Sequence, residues 1–368
     1  MLESWIGEIQ VGAVEVTEVP VEYLKSSDPN SLDTNFRQSF KSILRGAIHS
    51  EIPVGLRIER IKGRTRLYFL TWSRKQENLK RNLTTLTTSV SAYLPKFNLT
   101  SGMEFNGPRA NPDVVGVVAC LWGEPATPDE TGNTAARIDP MDAAGEILQG
   151  LDNVILQVFV EPMKSGKGRL RSLERAYENA MERSQKVVST PRQFAHASQQ
   201  STPRVDSGAS REAERLSRQV KRMSSRYLGK VSVTVTQWHQ DQKVAMVRAK
   251  QVMSVLMSGI TPADKEEDLR VKIKKKRKDF ENALAGRPVG DHTILTPEEA
   301  AIYFSLPKVD LGIKVSRRED FSTATVDLPE TKKVEETTPQ AVAKQKLNPS
   351  TGMQLQREQW NSRNSNPE

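Results

Sequence analysis

GLRIERIKGRTRLYFLTW at residues 55–72 contains two strand patterns separated by Lys62-Gly63-Arg64. A short connection with a glycine available for a left-handed backbone is typical of a β-hairpin, so this stretch predicts two antiparallel strands. An amphipathic helix pattern precedes them at 35–47, and a second helix is predicted from its expected cap, Ser73, to about Leu94. Paired strands flanked by helices predict an α+β fold.

Similar patterns extend the prediction along the chain. Strand patterns occur at 8–19, 114–122, 153–160 and 231–239, and helix patterns at 169–188, 210–227, 241–257 and 264–284. We therefore predict two small α/β lobes with mixed or antiparallel sheets, residues 1–162 and 230–328, joined by a basic helical arm at 163–229. Residues 329–368 have almost no apolar periodicity and are predicted to be a disordered tail.

Composition narrows the function classes. One cysteine, Cys120, and four scattered histidines give no metal-ligand spacing, so no metal site and no cofactor are predicted. No apolar stretch reaches membrane-spanning length and the first residues lack a secretory signal pattern, which predicts a cytoplasmic protein. The phosphate-binding pattern GxxxxGK[ST] and other catalytic motifs are missing, so no catalytic residues are predicted. An enzyme with an unrecognised pocket is kept as an alternative.

Positive charge is concentrated in the predicted arm. Residues 162–230 carry 16 Lys and Arg against 6 Asp and Glu, a local net charge of +10, whereas the whole chain has +9. On a helix over 211–227, five arginines are predicted to face outward, opposite an apolar side: Arg211, Arg215, Arg218, Arg222 and Arg226. Planar guanidinium groups suit phosphate, so the stripe is a candidate nucleic-acid contact. A solvated or protein-facing stripe is the alternative.

A second basic run, VKIKKKRKDF, lies in the helix predicted at 264–284. Its candidate nucleic-acid or acidic-lipid contacts are Lys272, Lys274, Lys275, Lys276, Arg277 and Lys278. Residues 264–282 also contain six acids against eight basic residues, a net charge of only +2, which favours a solvated surface helix. Few aromatic residues interleave with these charges, which argues against a surface that stacks bases of a single strand.

HTILTPEEAAIYFSLPKVDLGIKVSRRE at 292–319 begins with a helix-start signature, in which Thr296 is the cap, Pro297 the first helical residue and Glu299 the capping-box acid. This stretch resembles the region upstream of the motor in conjugative type IV secretion ATPases of the HerA/FtsK-like superfamily. The residues that fit are Leu295, Thr296, Glu298, Glu299, Ala300, Tyr303, Leu306 and Pro307. Together with the order of elements before it, the resemblance covers roughly residues 35–325.

The resemblance implies a docking role. In that family a phosphate-binding motor domain follows this region, whereas residues 329–368 are polar here. The resemblance therefore implies a non-catalytic subunit that docks a separate P-loop ATPase and secretion-channel proteins, contacts DNA and works in an oligomeric assembly held peripherally at the inner face of a membrane. The alternative is a stand-alone nucleic-acid-binding or scaffold protein that uses the basic arm.

Overall fold

A computed structural model describes residues 9–21, 23, 32–102, 104–109, 113–123, 139–163, 167–185, 206–225, 227–258 and 269–316. Its strands are β1 (Gln10–Pro20), β2 (Val54–Ile61), β3 (Arg64–Ser73), β4 (Asn98–Gly102), β5 (Val115–Gly123), β6 (Val154–Pro162), β7 (Gly229–His239), β8 (Leu269–Lys274), β9 (Thr293–Leu295) and β10 (Val315–Ser316). Its helices are α1 (Leu32–His49), α2 (Gln76–Tyr93), α3 (Pro140–Gln149), α4 (Lys167–Gln185), α5 (Ser207–Met223), α6 (Gln242–Ser258), α7 (Arg277–Leu284) and α8 (Pro297–Ala300). The predicted α+β class is confirmed.

The first repeat of the fold runs from β1 to β4. Its elements follow the order β1–α1–β2–β3–α2–β4, and its strands lie side by side as β4-β1-β3-β2, all antiparallel. This is the βαββαβ connectivity of the ferredoxin-like motif. The predicted hairpin is confirmed: Lys62 and Gly63 both have positive φ, 50° and 72°, as a two-residue turn between twisted strands requires.

A second copy of the same topology runs from β5 to β8. Apart from helices α4 and α5, which lie between β6 and β7, its element order is β5–α3–β6–β7–α6–β8, and the strands lie as β6-β7-β5-β8. The two copies join edge to edge because β2 pairs antiparallel with β6, with Arg57 opposite Gln157. On each side of this junction the equivalent strand of each repeat comes next. Strand β3 pairs with β2, with Tyr68 beside Arg57, and β7 pairs with β6, with Thr234 beside Gln157. The result is one continuous sheet with pseudo-twofold topology.

This architecture differs from the predicted division at 162 and 230. The two repeats span 10–102 and 115–274, and both predicted boundaries fall inside the second repeat, at the end of β6 and the start of its neighbour β7. The first repeat makes the equivalent connection with the tight turn at Lys62-Gly63. The predicted basic arm is therefore an insertion into a β-hairpin, not a link between separate lobes.

Helices cover one face of the sheet, which we call the helical face. The main core lies there, where α1, α2, α3 and α6 pack on alternate strand residues such as Leu56, Leu156 and Val235. The other side, the opposite face, is covered in part by α7. A Cβ atom on Gly116 would lie 2.2 Å from the Phe280 ring, so glycine permits this close approach of α7.

Residues 293–316 form a strap over the helical face. The strap starts at β9, which pairs with β7, and ends at β10, which pairs in parallel with β1. Between them Tyr303 and Phe304 are buried in the main core, and Phe304 packs on Phe40 and Phe69 with ring centroids 6.4 and 6.1 Å away. The segment that carries the family resemblance is thus an integral part of this fold.

Three local predictions need correction. The helix predicted at 264–284 is wrong over residues 269–274, which form β8, because VKIK alternates with the period of a strand. The helix predicted at 210–227 ends at Met223. The residue before α2 is Lys75, and Ser73 accepts a hydrogen bond from its backbone instead of capping the helix. The predicted tail at 329–368 lies outside the described residues.

Candidate nucleic-acid interface

The insertion between β6 and β7 contains a helical hairpin of α4 and α5. Arg183, near the end of α4, pairs with Glu212, near the start of α5, at 2.8 Å, so the helices run antiparallel. Ala180, Ala213 and Leu216 are buried between them. The apolar side of α5 predicted from its sequence therefore packs on α4, which leaves the other side of α5 available to solvent or a partner.

The predicted arginine stripe divides along α5. Arg211 and Arg215 are exposed, and Arg218 is partly buried. The prediction that Arg222 faces outward is wrong, because this residue is only 5% exposed. Arg226 lies outside the described residues. Arg211 and Arg215 therefore remain a candidate binding surface. Arg222 belongs to the packed interior of the protein.

Arg222 forms a buried ion pair with Glu299 of α8. Its Nε lies 2.9 Å from both carboxylate oxygens, and the two side chains are each 4% exposed. Glu299 also accepts a hydrogen bond from the backbone N–H of Thr296, whose hydroxyl caps α8 in return. The predicted capping box is therefore confirmed. The acid of this capping box has a second role that the sequence pattern did not reveal. Through Arg222, Glu299 joins the strap to the last turn of α5, which is the root of the helical hairpin.

The second basic run is distributed over a strand, a connection and a helix. Lys272 and Lys274 lie in β8, Lys275 and Lys276 follow it, and Arg277 and Lys278 lie in the first turn of α7. Lys274 is partly buried and the other five are exposed. Salt bridges of 2.8 Å join Lys272 to Asp291 and Arg277 to Glu281. The hydrogen bond between Lys272 and Asp291 raises the pKa of the lysine and lowers that of the carboxyl group.

A row of polar residues crosses the opposite face at one register. Strand pairing places its members side by side in the order Glu15, Tyr68, Arg57, Gln157, Thr234, Cys120 and Lys272. Within this row Arg57 is fully buried and donates to Glu59 at 2.9 Å and to the carbonyl oxygens of Ala283 and Leu284 at 2.8 and 3.2 Å. Burial lowers the pKa of Arg57. This guanidinium holds the end of α7 against the sheet.

Cys120 lies in the same row but has a structural environment. It is fully buried, and burial raises the pKa of its thiol to about 11. A thiol with such a pKa is almost entirely protonated at neutral pH and is a poor nucleophile. Across the ranges that the structure describes, no group of three or more His, Cys, Asp or Glu side chains is placed to hold a metal ion.

An open groove lies beside the root of the helical hairpin. It has a volume of about 400 Å³ and is lined by residues from the end of α1, the connection between α1 and β2, the end of β6 and the segments after β6 and before β7. His49 and Tyr227 meet there edge to face, with ring centroids 6.0 Å apart. The carboxylates of Glu51 and Glu161 also line it. The groove is thus polar and continuous with the insertion.

Comparison with known proteins adds little to this geometry. No protein-family model matches the chain, and no curated protein matches it. A crystal structure of a "Putative monooxygenase" from Fusobacterium nucleatum subsp. nucleatum is similar at 8% identity, covering 73% of this chain and 94% of that one. Its TM-score is 0.21, so the match supports no conclusion about fold or function. Within the described part of the chain, no helix has the length and apolar character needed to cross a bilayer.

Proposed function

We propose that this protein is a non-catalytic subunit that binds nucleic acid through the α4–α5 helical hairpin. The observation that carries the proposal is the insertion itself, which puts a strongly basic segment where the first repeat has a two-residue turn. A turn that short suffices to connect β2 with β3, so the insertion is not needed to close the second repeat. Its excess of arginine favours a polyanionic partner.

The exposed side of α5 has the spacing of a phosphate-binding surface. Arg211 and Arg215 are four residues apart, so they lie on one side of the helix, one turn from each other. Each guanidinium can donate two parallel hydrogen bonds to one phosphate group. Arg222 is excluded from this surface because it is buried against Glu299.

We expect Arg211→Glu with Arg215→Glu to weaken binding of a labelled DNA duplex by at least about tenfold at about 100 mM salt, because repulsion replaces two phosphate contacts. Fluorescence anisotropy across a salt series measures the effect. The slope of log K against log salt should also become shallower, by about 0.9 for each phosphate that the variant no longer neutralises. Circular dichroism and thermal melting should remain unchanged, since both positions are exposed.

The matched control is Lys243→Glu with Lys250→Glu. These exposed lysines lie on α6, a helix of the helical face, and the double change alters net charge by the same amount. It should leave duplex affinity within about twofold of wild type. Equal reductions in the two double variants would mean that net charge alone attracts DNA, and the hairpin would lose its assigned role.

We further propose that the protein docks a separate P-loop ATPase and secretion-channel proteins in a DNA-transfer assembly, at the inner face of a membrane. The supporting observation is the strap, whose sequence resembles the segment before the motor in secretion ATPases. The strap ends at β10, which pairs in parallel with β1. Glu298 adds a partly exposed contact with Lys41 and Arg45 at the strap's surface.

Affinity purification of the tagged full chain from its host, with nuclease added, is expected to enrich a P-loop ATPase. The two proteins, expressed separately and recombined, should elute together from a sizing column as an assembly larger than either alone. The docking proposal is contradicted if nuclease abolishes the enrichment or if the recombined proteins elute separately. Neither result would affect duplex binding by the helical hairpin.

A further inference from the structure

We propose that Trp122 and strand β8 form a second nucleic-acid site, one that binds single strands by stacking a base on the indole. The proposal rests on the proposed class of partner but uses neither the helical hairpin nor its arginines. Trp122 is 47% exposed, whereas Trp72 and Trp238 are buried in the sheet's own packing. A large aromatic ring left this accessible near the end of β5 is available to an external planar group.

Strand register places the indole among cationic side chains. Trp122 lies directly opposite Arg270, while Lys272 and Lys274 face Cys120 and Val118 along the same pair of strands. Because side chains alternate between faces with period two, Trp122, Arg270, Lys272 and Lys274 all lie on the opposite face. Directly opposed residues have Cβ atoms about 5 Å apart, so the Arg270 side chain starts beside the indole.

The chemistry of this patch matches a single strand better than a duplex. An indole can stack only on a base whose face is accessible, as in an unpaired strand, and stacking tolerates any base sequence. Residues two apart in a strand rise by about 6.6 Å, so β8 presents cations at regular intervals along an extended backbone. A β-strand at the edge of a sheet also offers no groove-reading helix.

The charges on β8 have a simpler explanation, protection of an edge strand, but this explanation does not account for the exposed indole of Trp122. Asp291 pairs with Lys272, and Asp279 also contributes negative charge near Cys120. Lysines on edge strands commonly prevent unwanted strand pairing. That role explains the charges on β8 but not a half-exposed tryptophan beside them, which would itself favour association. Arg270 and Lys274 therefore carry the phosphate contacts in our assignment, and Lys272 stays paired.

The test measures binding of a fluorescein-labelled oligo(dT), about 20 nucleotides long so that it exceeds the site size of one binding module, to the full chain by anisotropy. Trp122→Ala should weaken binding by about 5- to 150-fold, the range for removing one stacked base, while Trp122→Phe should retain most of the affinity. Arg270→Ala with Lys274→Ala should reduce the salt slope by about 0.7 for each phosphate contact. The control is Tyr93→Ala, which removes an exposed aromatic ring at the end of α2 and should change nothing.

The design separates this site from the hairpin. Trp122→Ala should leave duplex affinity unchanged, and its effect on oligo(dT) should persist when Arg211 and Arg215 are both replaced by glutamate. Wild-type oligo(dT) affinity in Trp122→Ala would overturn the proposal. So would an equal reduction with Tyr93→Ala, or sedimentation showing that Trp122→Ala converts a dimer to a monomer, which would assign the patch to a second copy of the chain.

Discussion

Replacing Arg222 by alanine is expected to lower the free energy of unfolding by about 3–5 kcal/mol, the usual cost of removing one partner from a buried ion pair. Glu299 would keep its hydrogen bond from the Thr296 backbone but would remain a buried carboxylate without its cation. Urea denaturation at neutral pH, followed by circular dichroism, measures the change. A shift in the midpoint without a change in slope would identify a loss of stability in the folded state.

Two further variants test the cause of that destabilisation. Arg215→Ala removes an exposed arginine from the same helix and should change the unfolding free energy by no more than about 0.5 kcal/mol. Arg222→Met combined with Glu299→Gln leaves no buried charge, and glutamine still accepts from the Thr296 N–H. The double variant should therefore recover most of the stability. If it is as unstable as Arg222→Ala, the uncompensated carboxylate is not the cause of the loss, and the ion-pair explanation is wrong.

The same pair shows where sequence reasoning succeeds and where it ends. Thr296 and Glu299 are three residues apart, so the capping box follows from local spacing, and the structure confirms it. Arg222 lies 77 residues from Glu299, and helical periodicity placed it with the exposed arginines. Periodicity reports which residues share a side of a helix. It does not report that the last turn of that helix lies under another segment.

The two tandem repeats were not predicted from the sequence, again because the decisive contact joins residues that are far apart along the chain. Each β-hairpin pattern is local, so β2 and β3 could be predicted from the short connection Lys62-Gly63-Arg64, although Arg64 belongs to β3 and the turn has two residues. Strands β6 and β7 are neighbours in the sheet although the insertion at 163–228 separates them, and the change of composition there resembled a domain boundary. The signal available in the sequence was the repeated order of strands and helices, since β2 and β6 occupy equivalent places in the two halves.

The basic run at 270–278 shows how charge can obscure periodicity. Its lysines and arginine suggested a surface helix, but Val271 and Ile273 alternate with Arg270, Lys272 and Lys274, and that alternation forms the edge strand. The mistake mattered for function. Within residues 270–280 the sequence contains one aromatic residue, Phe280, which is buried. Pairing of β8 with β5 sets an exposed one, Trp122, opposite Arg270.

Arg57 is expected to be as sensitive to substitution as Arg222, and its removal should act through α7. Arg57→Ala eliminates the guanidinium that donates to Glu59 and to the carbonyl oxygens of Ala283 and Leu284. A cation at the C-terminal end of a helix also interacts favourably with the helix dipole. The substitution leaves Glu59 buried at 4% exposure without its partner. We expect a decrease of about 3–5 kcal/mol in unfolding free energy.

Hydrogen exchange distinguishes local from global loosening in that variant. Amides of α7 and of residues 285–291 should exchange faster at mild denaturant concentrations, where those of β2 and β6 are still protected, because the guanidinium fastens α7 to the sheet. Arg66→Ala, an exposed position on the neighbouring strand, should cost less than about 1 kcal/mol and leave α7 unaffected. Uniform acceleration of exchange across α7 and the sheet would contradict a special role of Arg57 at α7. Its effect would then come from the buried pair with Glu59, which stabilises the whole fold.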